Sequence, residues 1–157
     1  MAKTAAPALT LRLERVLKST PEAVFDAWTK PDKILGWWHD AAAYDKPIVE
    51  VDLKVGGQYR IAKTHRASGA EHSIRGSYRE IERPKKLVFT WKWDNEQFMK
   101  ETTRVTVELF AQPAAGGVPQ TKLALTHEKL PSQDLFDKHS MGWTQCIDRM
   151  EAQNPAQ

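Results

Sequence analysis

The sequence predicts an α+β fold, one curved antiparallel sheet whose concave face is covered by a long C-terminal helix. Three patterns carry this expectation. A first alternating segment is followed by two short helical pieces joined at a proline. Six further segments then alternate apolar and polar residues at short spacing, which calls for hairpins and hence an antiparallel meander. From Ser132 onward, apolar residues recur at helical spacing. A helix of that kind must bury its stripe against another element, and the sheet is the partner available.

Residues 9–17 place Leu9, Leu11 and Leu13 against Thr10, Arg12 and Glu14, the mark of a strand with one wet face. Thr20 is a suitable N-cap and Pro21 suits the first helical position, where its missing N–H costs nothing. Val24 and Trp28 share one face of that helix. Pro31 ends it, and residues 32–38 read as a second short helix, giving a helix–kink–helix insert. Strands are expected over 47–54, 58–63, 72–82, 87–93, 101–110 and 120–128, with a loop over 112–118. Ser132 caps the last helix. Leu135, His139, Trp143, Ile147 and Met150 form its stripe, and Pro155 lies beyond its end.

At 157 residues the chain is expected to be a single domain over 9–154, preceded by a disordered tail over 1–8. Its hydrophobic fraction of 41% and charged fraction of 27% exclude a disordered or collagen-like chain. No apolar run is long enough for a membrane span. The net charge of +3, from 23 basic and 20 acidic residues, is too small and scattered to argue for nucleic acid. The single Cys146 excludes an internal disulfide. With no secretory h-region near Met1, the expected location is cytoplasmic.

Six tryptophans are the unusual count. Alternation puts Leu87, Phe89, Trp91 and Trp93 on one face of one strand. Tyr59 and Ile61 come from another strand. Trp143, Cys146, Ile147 and Met150 come from the final helix, and Trp37, Trp38 and Tyr44 from the insert and the loop after it. Together they describe either a dry aromatic core or a deep apolar space between sheet and helix, rimmed by indole N–H groups that want partners. Trp37 and Trp38 are adjacent in a short helix, so one is expected to face the cleft and the other to be wet or to shield its mouth.

The run Thr20-Pro21-Glu22-Ala23-Val24-Phe25-Asp26-Ala27-Trp28-Thr29, then Pro31 and Trp37-Trp38, resembles the opening of the activator-of-Hsp90-ATPase-homologue-1-like family. Gly56-Gly57-Gln58-Tyr59-Arg60, the segment from Gly76 to Trp91 and the closing Gly142-Trp143 resemble it too. The resemblance implies the helix-grip fold of the START-like superfamily, also called SRPBCC or Bet v 1-like. It implies little chemistry, since relatives in the wider superfamily bind lipids, steroids, polyketides or plant hormones and a few are cyclases or dehydratases. The co-chaperone that gives the family its name carries a further N-terminal domain, for which this chain has no room.

No catalytic motif is present: no G-x-S-x-G, phosphate loop, H-E-x-x-H or C-x-x-C. His65 and His72 lack a third ligand at metal spacing, so no metal and no cofactor is expected. Cys146 as a nucleophile would need His127 or His139 as its base; a space-filling thiol is the alternative. Asp94 and Glu96 are either an acid–base pair at a cavity mouth or two solvated acids in a turn. Arg60 and Arg104 alternate with apolar neighbours and belong on the wet face. Arg75 and Arg79 share parity with Ile81 and would point inward if their strand carried no bulge.

The functional expectation is a small-molecule-binding protein whose mainly apolar cavity takes a hydrophobic or aromatic ligand. Its candidate site comprises Trp37, Trp38, Tyr44, Tyr59, Phe89, Trp91, Trp93, Trp143, Cys146 and Ile147. The alternatives are an enzyme of cyclase, dehydratase or hydrolase type in the same cavity, and a co-chaperone-like interaction module. A monomer or weak homodimer is expected.

Overall fold

The computed structural model describes residues 8–38 and 40–153. The expected tail over 1–8 therefore lies, apart from Ala8, outside the described residues. Strand β1 (Leu9–Leu17) is followed by helices α1 (Pro21–Thr29) and α2 (Pro31–Trp38). Strands β2 (Ile48–Val51), β3 (Gln58–Thr64), β4 (Glu71–Glu82), β5 (Lys86–Trp93), β6 (Thr103–Ala115) and β7 (Val118–Leu130) then precede helix α3 (Gln133–Gln153). The strands form one antiparallel sheet in the order β1-β7-β6-β5-β4-β3-β2, so the meander is closed by β1 returning beside the last strand.

Capping chemistry starts the helices where the sequence says. Thr20 Oγ1 accepts the Ala23 N–H at 3.2 Å, and Ser132 Oγ accepts that of Leu135 at 3.2 Å. The Lys30 N–H closes α1 on Asp26 O, and Pro31 takes the first position of α2, one residue earlier than expected.

Neighbouring β6 and β7 pair Val105 with His127, Val107 with Leu125 and Leu109 with Leu123, all six buried. The expected loop over 112–118 is instead mostly strand. Gly116 and Gly117 both have positive φ, 61° and 78°, which suits a tight primed turn and lets the hairpin run almost to its tip. Pro113 is tolerated because the ladder register shifts between Gln112 and Ala115. Conversely, β2 is shorter than the expected 47–54, because the chain folds back through Lys54–Asp52 and Gly57–Lys54 backbone bonds into a turn with Gly56 at φ 85°.

A register shift between Tyr78 and Glu80 settles the arginines. Upstream of it Ile74 and Tyr78 point to the core; the extra residue, Arg79, flips parity so that Ile81 can also face inward. Arg75 and Arg79 are both exposed on the outer side.

Gly76 marks a close approach. It pairs with Tyr59, whose hydroxyl donates to Thr90 O at 2.5 Å. A Cβ at position 76 would meet Thr90 O at 1.9 Å and Tyr59 Cε1 at 2.7 Å. Gly76→Ala should therefore destabilise the protein by about 1–3 kcal/mol, read from the urea midpoint. An unchanged midpoint would mean that β4 and β5 separate there at no cost.

Candidate functional site

Helix α3 lays His139, Trp143, Cys146, Ile147 and Met150 on the concave face, all buried. Below it β5 presents Leu87, Phe89 and Trp91, with Trp93 half-buried at the open end. The insert fills the remaining side. Trp37 and Trp38 are both buried, at 2% and 7% exposure, so neither is wet, and of the two alternatives for the second ring, wet or shielding the mouth, the first is corrected. The end of α2 is wedged against α1 on one flank and against α3 and β5 on the other. Two side chains about 100° apart on a helix can then each find a packed neighbour. Trp37 donates to Ala27 O at 2.7 Å, while Trp38 stacks 5.7 Å from Trp91.

The six indoles form one continuous cluster. Centroid distances are 4.8 Å for Trp28–Trp37, 5.7 Å for Trp28–Trp143, 4.9 Å for Trp91–Trp143 and 5.9 Å for Trp91–Trp93. Phe89 packs on Trp28, Tyr59 and Tyr78.

Two histidines accept from three of the six indoles. Trp91 and Trp93 both donate to His139 Nε2, at 3.3 and 3.0 Å, and the His139 Nδ1–H donates to Leu135 O at 2.7 Å. Trp143 donates to His127 Nδ1 at 3.0 Å; His127 Nε2–H then donates to Thr103 Oγ1, which donates to Trp91 O. An indole N–H can only donate, so each ring must be neutral with its acceptor nitrogen bare. Burial pushes both pKa values down, His127 to about 3 with His139 adding to the effect. Neither ring is free to serve Cys146. Its Sγ instead lies 3.8 Å from Trp38 O and 3.6 Å from Arg149 Nη2. Burial raises the thiol's pKa, against the opposing pull of Arg149 and Lys63. Folded protein at pH 8 should consequently resist iodoacetamide at Cys146, with mass spectrometry showing modification at least tenfold slower than in urea. Comparable rates would mean that the cleft is open to the reagent and the thiol activated.

Two voids remain between sheet and helix. An inner one of about 30 Å³ is walled by Trp28, Trp37, Tyr59, Tyr78 and Phe89. It has room for water but not for an organic ligand. An outer one of about 200 Å³ shares Trp38, Trp91 and Trp143 with it. Ile74, Trp93 and Phe98 complete its apolar wall, Lys63, His72 and Arg149 give it a polar part, and Lys138, His139, Gly142, Gln145 and Cys146 contribute the α3 side.

Of the candidates from sequence, Trp38, Trp91, Trp93, Trp143 and Cys146 border the outer void, and Trp37, Tyr59 and Phe89 border only the inner one. Ile147 is core and lines neither. Tyr44 stands one layer back: its hydroxyl bonds His72 Nδ1 at 2.8 Å, and Lys63 Nζ lies 4.1 Å from its ring centre. Lys63 and His72 were missed: the alternation that gave Tyr59 and Ile61 continues to Lys63, whereas His72 shares the face of Ile74, upstream of the bulge that reverses the parity read from Ile81. Gly142 and Arg149 were missed because they flank Cys146 at helical spacing without being apolar.

Of the two readings left open for Asp94 and Glu96, the structure favours the one without an acid–base pair at the cavity mouth. Asp94 belongs to the outer face, where Ser73 Oγ and Arg75 Nε bond it at 2.5 Å each and Arg60 lies at 3.5 Å. Partial burial opposes its charge, but Arg75, Ser73 and Arg60 outweigh that and hold its pKa below the usual range. Glu96 is exposed and pairs with Lys92.

A curved seven-stranded sheet gripping one long helix, with two helices inserted after the first strand, is a helix-grip fold. The family model described as activator of Hsp90 ATPase homolog 1-like protein matches residues 18–153, and the chain belongs to that family. No curated protein matches the sequence. Among solved structures, protein CV1439 of Chromobacterium violaceum is 26% identical with a TM-score of 0.80, covering 94% of this chain and 98% of that one. PFC0360w of Plasmodium falciparum, an Hsp90 activator, is 28% identical with a TM-score of 0.68, covering 91% and 94%. Protein MLL2253 of Mesorhizobium loti, 20% identical with a TM-score of 0.71 over 92% and 95%, shares the fold. Among the described residues no helix is long and apolar enough to cross a membrane.

Proposed function

We propose that this chain is a small-molecule-binding protein whose ligand is a mainly apolar compound of one or two rings held in the outer void. The observation that carries the reading is Gly142. It sits inside α3 on the wall of that void, and a Cβ there would meet nothing within 4 Å. Packing does not demand glycine, yet glycine costs a helix interior about 0.5–1 kcal/mol relative to alanine. Its effect is to keep the wall bare. The void of about 200 Å³ exceeds the roughly 150 Å³ apolar cavity that accepts benzene. The engagement of His127 and His139 by indoles supports binding over acid–base chemistry at this place.

The test is calorimetric titration of the full chain with 2-naphthol and 2-naphthoate. At least one should bind with Kd of roughly 1–100 µM, as expected of an efficient ligand of that size. Gly142→Leu should fill the void and abolish binding. Gly142→Ala should raise stability by about 0.5–1 kcal/mol. Absence of binding by both compounds to folded protein rejects the reading. A second reading, docking on a chaperone, draws on the likeness to the Plasmodium falciparum Hsp90 activator. It does not use the void, so an Hsp90 interaction unaffected by Gly142→Leu would favour it.

A further inference from the structure

Resting on that reading, we infer that the ligand is an aromatic monocarboxylate, with its ring against the indole wall and its carboxylate at the polar part formed by Lys63, His72 and Arg149. The lining of the outer void is electrically one-sided. Among the described residues it contains Lys63, Lys138 and Arg149 and no carboxylate side chain. Lys138 is answered from outside by Asp134 at 3.0 Å. The other two cations have no ion pair among the described residues. Arg149 is aimed by its Nε on Trp37 O at 3.0 Å and its Nη2 on Trp38 O at 3.3 Å, which fixes the guanidinium at the void; among the described residues its Nη1 makes no hydrogen bond. Lys63 comes off β3 with its stem walled in and its ammonium over the Tyr44 ring. Tyr44 also bonds the neighbouring His72, so one side chain positions two basic groups.

The electrostatics agree with this geometry. Lys63 is held below its ordinary pKa by burial and by Arg149, with Cys146 and Asp40 only partly compensating. His72 is lowered by burial, Lys63 and His65. Burial is the leading cause in both cases, with like charge adding to it, and a carboxylate bound beside these groups would offset both effects. The apolar part of the lining, Ile74 with Trp38, Trp91, Trp93, Phe98 and Trp143, is mostly aromatic and offers a surface for a flat ring. Planar guanidinium and ammonium donors suit a carboxylate in particular, and the volume limits the body to one or two rings.

The experiment compares three near-isosteres by calorimetry on the full chain: 2-naphthoate, neutral 2-naphthamide and cationic 2-naphthylmethylammonium. Naphthoate should bind at least about tenfold more tightly than the amide, the ammonium compound more weakly than either. Lys63→Met should bring naphthoate to the affinity of the amide and leave the amide within about threefold. Equal affinities for naphthoate and amide, or preference for the ammonium, overturn the inference while small-molecule binding stands. If none of the three binds, both fall. The comparison on the unsubstituted chain decides the matter even if Lys63→Met folds poorly.

Discussion

Trp143→Ala should lower the unfolding free energy by at least about 4 kcal/mol. The ring is 3% exposed and sits at the centre of the indole cluster, 4.9 Å from Trp91 and 5.7 Å from Trp28. Removing a buried tryptophan of this kind typically costs about 3–5 kcal/mol through lost transfer energy and the cavity left behind. A second loss comes from the hydrogen bond. His127 Nδ1 would keep its lone pair inside the core with no donor, a penalty of about 1–3 kcal/mol. Trp143→Phe helps to separate the two, because it removes the N–H and keeps most, though not all, of the packing; it should cost about 1–3 kcal/mol. Urea unfolding of both variants measures this through the midpoint at constant slope. A shift under about 1 kcal/mol for Trp143→Ala would show that α3 does not depend on this anchor.

How far this centre could be read in advance depends on what carried the information. Alternation and helical spacing are properties of single residues in order, so they gave the strands, the stripe on α3 and the inward direction of Phe89, Trp91 and Trp143. Failure came where a residue's fate depended on a partner in another element. The paired Trp37 and Trp38 looked half-wet because α2 was considered alone; α1 and α3 cover its two flanks. His127 and His139 looked like candidate bases because their polarity was visible and their indole donors were not. His127 lies opposite Val105 in the ladder, an inward position, and that register depends on where the β6–β7 hairpin turns. The bulge at Arg79 inserts one residue and reverses every side chain beyond it, which no periodicity announces.

The same histidines make the fold sensitive to acid. His127 is fully buried, and its Nδ1 faces the Trp143 N–H. A proton placed there would set donor against donor in a site with no acceptor to spare. Burial, with His139 adding to it, pushes its pKa down to about 3, against an ordinary 6.5, and burial lowers that of His139 as well. Both are bases held neutral, so below pH 6.5 the unfolded chain takes up protons that the native one refuses. Stability is therefore complete above about pH 6.5 and falls as pH drops towards 3. Over that whole window His127 alone would remove roughly 5 kcal/mol. Between pH 7.5 and 5 its share is about 2 kcal/mol, and His139 adds to it in the same direction. Urea midpoints at the two pH values should show this loss, and His127→Gln should flatten the dependence even though it lowers stability overall. Flat midpoints in the unsubstituted chain, or a slope unchanged in His127→Gln, would show that the ring accepts its proton without disturbing the indole cluster.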